Sequence, residues 1–205
     1  KFTQQSQGML TDWIVRRFAA AGKSIELDAA QRLIFISGDL MSRLIPEIDK
    51  IAAYARGERV TIKDVDAVAS HIPEAVIFEM TELISQKKYN SAMSVLAELL
   101  SDKNNEPIAM TAMLGLQMRK LYAARLAIEQ ELGSKYVMEV CAIKYDYIAS
   151  KLMTAARGFT LQQLIRAVEL CGEADYRMKS SGQDARELLK EAVARIAAGE
   201  SKCTA

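Results

Sequence analysis

Gly22, Lys23 and Ser24 are the residue types with which a phosphate-binding loop ends. Such a loop also needs a glycine five positions before the Gly-Lys pair, a strand ahead of it and a helix behind it, so that backbone amides and the ammonium converge on phosphate oxygens. Arg17 stands where that glycine belongs, and a helical pattern precedes the turn. Nucleotide binding through this segment is therefore not expected. His71 is the one histidine, and no Ser or Cys sits near it in a nucleophile elbow. Asp64 and Asp66, like Glu173 and Asp175, lie two apart and so face different sides of a helix, which denies them a shared acid–base role. A pair assembled from distant residues stays open at this level, with nothing in its favour. Cys141, Cys171 and Cys203 are odd in number, far apart and without zinc-ligand spacing, which argues against a disulfide framework and fits a reducing cytoplasm. No catalytic residue, metal site or cofactor is expected.

Other charged residues are spaced to meet each other. Arg43, Glu47 and Lys50 form one helical ridge, and Asp175 and Lys179 are four apart. Each such pair stabilises a helix by about 0.2–0.5 kcal/mol; the alternative is that they form an interface patch.

These residues require helices to position them. The segment Leu10–Gly22 reads as a first helix with Gly22 at its end, and Asp28 is placed to cap a second. Gly38 can close that helix in the left-handed conformation, and Asp39 can cap a third. On the third helix Leu40, Leu44, Ile48, Ile51, Ala52 and Ala55 fall on one face, opposite Arg43, Glu47 and Lys50. Thr61 caps a fourth, with Val60 and Val65 flanking its first turn. Pro73 disfavours helix at Ile72, so the boundary is set in the linker Ser70–Ala75: one domain over residues 1–72 and another over 73–205. Longer helices follow, at Phe78–Gln86, Ser91–Leu100 and, with Pro107 in its first turn, from Ile108 to about Glu131. That last helix is apolar nearly all round. It is either a central core helix or one that reserves a side for a partner, with Met110, Met113, Leu116 and Met118 as candidate interface residues. Thr160 and Gln163 form a capping box, Phe159 is poised against Leu164, and Ala185, Leu188, Leu189, Ala192, Val193 and Ile196 make one stripe on a final helix that frays from Ser201. The second domain is expected to hold five or six helices.

Composition agrees. Half of the 205 residues are hydrophobic and aromatics make up 6%, a balance that favours helices over strands. The fold class is all-α. The net charge of +1 stays balanced on both sides of Pro73, so strong DNA binding by the chain itself is not expected. The longest mostly apolar run, Ile108–Leu116, is too short to span a membrane. The chain does not begin with Met, which suggests a piece of something longer.

The stretch GDLMSRLIPEIDKI (Gly38–Ile51) resembles the lid of clamp-loader ATPase-type subunits, most closely the delta-subunit family of bacterial DNA polymerase III. The resemblance continues through VTIKDVDAVA (Val60–Ala69), through IFEMTELISQKKYNSAMSVLAELL ending at Leu100, and into EADYRMKSSG with Asp175, Lys179 and Gly182. It implies a small AAA+-type helical lid followed by a helical collar. Gly38, Asp39, Leu40, Glu47 and Lys50 match the lid pattern; Phe78, Asp175, Lys179 and Gly182 match the collar pattern. By the same resemblance the function is that of a non-hydrolysing clamp-loader subunit in DNA replication. Its partners are the other clamp-loader subunits, met through the collar. The sliding clamp is met only through an N-terminal domain that this chain lacks, and DNA indirectly. The competing reading is a helical adaptor or regulatory scaffold unrelated to replication, in which the Gly-Asp corner is coincidental.

Overall fold

The computed structural model describes residues 7–199. Cys203 and the chain end from Ser201 lie outside the described residues. Among those described the fold is all-α, and the chain divides into two compact units, Lys1–Ala75 and Val76–Ala205.

The first unit contains α1 (Gln7–Ala20), α2 (Leu27–Ser37), α3 (Met41–Tyr54) and α4 (Ile62–Val68). Ile14, Phe18, Leu33, Ile36, Leu44, Ile48 and Ile51 are fully buried and make its core. Two dipeptides, β1 (Ser24–Ile25) and β2 (Arg59–Val60), pair in parallel and tie the α1–α2 connection to the α3–α4 connection.

Two of the expected caps fall elsewhere. Helix α2 begins at Leu27 after Glu26, so Asp28 sits inside the first turn, where its carboxylate accepts from the Ala29 amide at 2.8 Å. There a negative charge still favours the helix N-terminus. Helix α3 begins at Met41 because the Leu40 carbonyl already accepts from the Arg43 and Leu44 amides. Asp39 is thus one residue too early to cap it. Leu40, expected to open the apolar face, instead stands at the corner and is 57% exposed. Gly38 does take a positive φ, 86°, but with ψ 174°. This is an extended region essentially restricted to glycine, not the left-handed helical one. Thr61 caps α4 in a full capping box with Asp64.

The second unit contains α5 (Pro73–Ser85), whose first three residues fall in the first unit, and α6 (Tyr89–Ser101), α7 (Pro107–Glu129), α8 (Ser134–Val140), α9 (Asp146–Ala156), α10 (Leu161–Ser180) and α11 (Ala185–Ala197). Seven helices replace the expected five or six. The short α8 has too few residues for a periodic signal, and Pro73 opens α5 instead of belonging to a linker, its missing amide being one the helix start leaves unpaired anyway. Thr160 and Gln163 form the expected capping box at the start of α10.

Helix α7 is apolar on most sides of its first half because it is central, packing on α8, α9, α10 and α11. Its buried polar groups are satisfied. Gln117 donates to the Thr81 hydroxyl, which donates to the Phe78 carbonyl; Thr111 donates to the Pro107 carbonyl. Helix α10 lies antiparallel to α7: Thr111 reaches Met178, and Gly115 lies against Cys171. Arg177 grips both oxygens of Glu191 at 2.9 and 3.0 Å, and Arg195 reaches Glu173, tying α11 to α10.

Candidate interaction surface

The residues whose types suggested chemistry are engaged in holding the fold. The Lys23 ammonium donates to the carbonyls of Ala55 and Gly57 at 2.8 and 2.7 Å, and the Ser24 amide donates to the Glu58 carbonyl at 2.7 Å. The Gly-Lys-Ser segment is thus a strap across the turn that follows α3. Asp64 accepts from the Thr61 amide and hydroxyl, which hold its carboxyl below the usual range. Asp66 pairs with Arg32 at 2.7 Å, and Glu173 with the buried Arg166 at 2.6 Å. His71 is exposed beside Ile72. Burial pushes the Cys171 thiol up to about 12 and raises Cys141 as well, so neither is a thiolate nucleophile near neutral pH. Among the described residues no cluster of three His, Cys, Asp or Glu is placed to hold a metal ion.

Of the five residues that match the lid pattern, Glu47 and Lys50 meet at Ser70 and Gly38 lies near Ile72, two residues further on. Glu47, expected on a charged outer face, is buried. Its carboxylate accepts from the Ser70 amide at 2.9 Å and pairs with Lys50 at 2.8 Å, and Lys50 donates to the Ser70 hydroxyl. Burial opposes ionisation, but the Lys50 and Ser70 hydrogen bonds outweigh it and leave the Glu47 carboxyl below its ordinary range. Arg43 is exposed and does not join this cluster, because the Glu47 carboxylate turns toward Ser70. Ser37 donates to the Ser70 carbonyl and the Ile72 amide to the Ile36 carbonyl, so the segment after α4 is held against the end of α2. Ile72 also lies 3.8 Å from where a Gly38 side chain would begin.

In the second unit Phe78 is buried, Gly182 is an exposed turn residue after α10, and Asp175 pairs with Lys179 at 2.7 Å along α10. The four candidate interface residues separate. Met110 and Met118 are buried at 3% and 0% and cannot meet a partner directly, since they face the packed side of α7. Met113 is half-buried and Leu116 is 48% exposed. Leu116 belongs to an uncovered stripe of α7 with Ile108 and Ala112. Beside it, a groove of about 390 Å³ lies between Thr111, Ala112, Gly115 and Arg119 of α7 and Val168, Cys171, Gly172, Asp175 and Lys179 of α10. On its α10 side the sequence reading singled out Asp175 and Lys179 but not Val168 and Gly172, which give no periodic hydrophobic signal.

Fold and surface define an all-helical protein of two units, with the residues that suggested nucleotide binding or acid–base chemistry paired within the fold and part of the central helix of the second unit left open. The family described as "DNA polymerase III delta subunit, C-terminal domain" matches residues 74–196, and the chain belongs to that family. It is 26% identical over 181 residues to the DNA polymerase III subunit delta of Bacillus subtilis (strain 168), covering 88% of this chain and 52% of that protein. It is 25% identical over 188 residues to the probable DNA polymerase III subunit delta of Aquifex aeolicus (strain VF5), covering 91% and 53%. Its fold is similar to the solved Bacillus subtilis DNA clamp loader delta protein (YqeN), with a TM-score of 0.72, 25% identity and coverage of 95% of this chain and 57% of that one. The chain thus spans about half the length of the curated relatives it matches.

Proposed function

We propose that this chain is the lid and collar of a clamp-loader delta subunit, with the first unit as lid and the second as collar. The observation that carries this reading is the family match across 74–196, nearly the whole of the second unit, extended into the first by relatives that cover about nine-tenths of the chain. On this reading the protein is a non-catalytic component of the bacterial DNA polymerase III holoenzyme, working in the cytoplasm without a cofactor. It assembles with the other clamp-loader subunits through the collar and touches DNA only indirectly. The sliding clamp is contacted by an N-terminal domain outside this chain. The capture of Lys23 by two backbone carbonyls supports a subunit that does not hydrolyse ATP. The lid corner of Gly38, Asp39, Leu40, Glu47 and Lys50 then has a positioning role, and Leu116 with Met113 offers the collar its contact surface.

Reconstitution with the purified other clamp-loader subunits tests this. The chain is expected to co-elute with them, and Leu116→Asp to weaken assembly by the ~2 kcal/mol of an interface hot spot while leaving the thermal melt unchanged. Failure of the unaltered chain to join any of them would overturn the assignment. Titration calorimetry with ATP should give no binding; a micromolar affinity abolished by Lys23→Ala would refute the non-hydrolysing role.

A further inference from the structure

The chain leaves α4 and enters α5 through Ser70, His71 and Ile72, and the hydrogen bonds gathered there exceed what either helix needs. Helix α4 is already closed before them, by the Ala69 amide on the Val65 carbonyl. Helix α5 opens after them on Pro73, which has no amide to satisfy. Yet the amide, carbonyl and hydroxyl of Ser70 are all engaged. The amide donates to Glu47 at 2.9 Å, the carbonyl accepts from the Ser37 hydroxyl at 2.9 Å, and the hydroxyl accepts from Lys50 at 3.1 Å. Two residues on, the Ile72 amide donates to the Ile36 carbonyl at 2.6 Å. Withdrawing the Glu47 carboxylate from water for this purpose carries a desolvation cost, so the arrangement serves position more than stability.

Helix α5 itself is the second observation. Its first three residues fall in the first unit and the rest in the second. Within the second unit it is held by Gln117, which donates to Thr81, and by the close approach of Gly158 to the Ser85 carbonyl. A helix bends sharply only at a proline, a glycine pair, a bulge or an inserted group, and residues 74–85 supply no proline or glycine. The boundary between Ala75 and Val76 is therefore stiff, and any turning falls to the residues before Pro73. There Ala69 is extended, with φ −70° and ψ 136°, and Pro73 restricts Ile72. The torsions of Ser70 and His71 are what remains.

We propose that Ser37, Glu47 and Lys50 form a latch on a pivot at Ser70–Ile72. Closed, the latch fixes the direction in which α5 leaves the first unit. Open, it lets α5 swing while both units stay folded. The groups that close it come from α2 and α3, so a change in how those helices pack reaches α5 through three hydrogen bonds. The inference concerns the fold alone and stands or falls separately from the clamp-loader assignment.

Double electron–electron resonance on the full chain tests it. Spin labels go on Ala53→Cys of α3 and Glu79→Cys of α5, both exposed positions, with Cys203→Ser removing one native thiol and burial protecting Cys141 and Cys171. The parent is expected to give one narrow distance distribution, and Glu47→Ala to widen it at least twofold. Ile51→Val is the control: it trims the fully buried core of the first unit, leaves every latch group in place and should leave the width unchanged. Should Glu47→Ala unfold the first unit, Ser37→Ala, which removes only the donor to the Ser70 carbonyl, must still widen the distribution. A width that neither latch variant changes overturns the proposal, as does a parent distribution already as broad as theirs. Equal widening by Ile51→Val overturns it too, since general loosening of the first unit would then be the cause.

Discussion

In the first unit, connections between short helices are fastened by polar side chains that reach far along the chain. Lys23 holds the carbonyls of Ala55 and Gly57, Glu47 and Lys50 hold Ser70, and Ser37 holds the Ser70 carbonyl. In the second unit, longer helices pack on a central apolar one, and the Arg–Glu pairs lie between α10 and α11 at the surface. The difference follows from helix length. A four-helix unit with helices of seven to fourteen residues has little apolar area per connection, so its corners need fixed hydrogen bonds. A twenty-three-residue helix buried on several sides orders its neighbours mainly by packing, with the buried Gln117–Thr81 hydrogen bond beside it. The first arrangement is sensitive to charge and pH, the second to volume.

The largest effect is expected where packing governs. Leu114, 1% exposed in the middle of α7, should cost about 2–5 kcal/mol on truncation to alanine, measured by urea denaturation. A loss below 1 kcal/mol would show that the second unit is not organised by its central helix. Next comes Gly158, just beyond α9, where an added Cβ would lie 2.4 Å from the Ser85 carbonyl oxygen. Backbone cannot yield as a side-chain tip does, so Gly158→Ala should cost about 1–3 kcal/mol. An unchanged melting temperature would mean that the α5–α9 approach is looser than its geometry.

The first unit should respond to charge instead. Glu47→Ala removes the acceptor of the Ser70 amide and the partner of Lys50, with an expected loss of about 0.5–1.5 kcal/mol near neutral pH. The sign with pH follows from the depressed folded pKa of Glu47. Its stabilising contribution is complete above the unfolded value of 4.5 and disappears as pH falls through the lower folded value. The difference between wild type and Glu47→Gln should therefore narrow on acidification in melts taken below pH 4.5. A gap that widens would remove the charge-fastened corner from the comparison.

Much of the fold was legible because its signals are local. Thr61 and the Thr160–Gln163 pair serve amides within three residues, and Pro107 starts the helix it stands in, so spacing alone places them. Asp28 and Asp39 misled for the same reason: cap chemistry shifted by a residue or two looks identical in sequence, and only the path of the Leu40 carbonyl fixes where α3 begins. The straps were not legible, since Lys23 and Glu47 act on backbone groups 32 and 23 residues away. The apolar girdle of α7 announced a buried helix but not which side stays open. Met110 and Leu116 are both large and apolar, and only the packing of the folded unit separates them, one 3% and the other 48% exposed.

Asp175 and Lys179 carry the smallest expected effect. Their 2.7 Å pair runs along one exposed ridge of α10, where an i,i+4 pair contributes about 0.2–0.5 kcal/mol. Asp175→Asn should therefore change the melting temperature barely measurably, and the change should fade in high salt. A loss above about 1 kcal/mol in urea denaturation would show that this pair fastens α10 as the straps fasten the first unit, and the contrast between a charge-fastened and a packed unit would fail at this ridge.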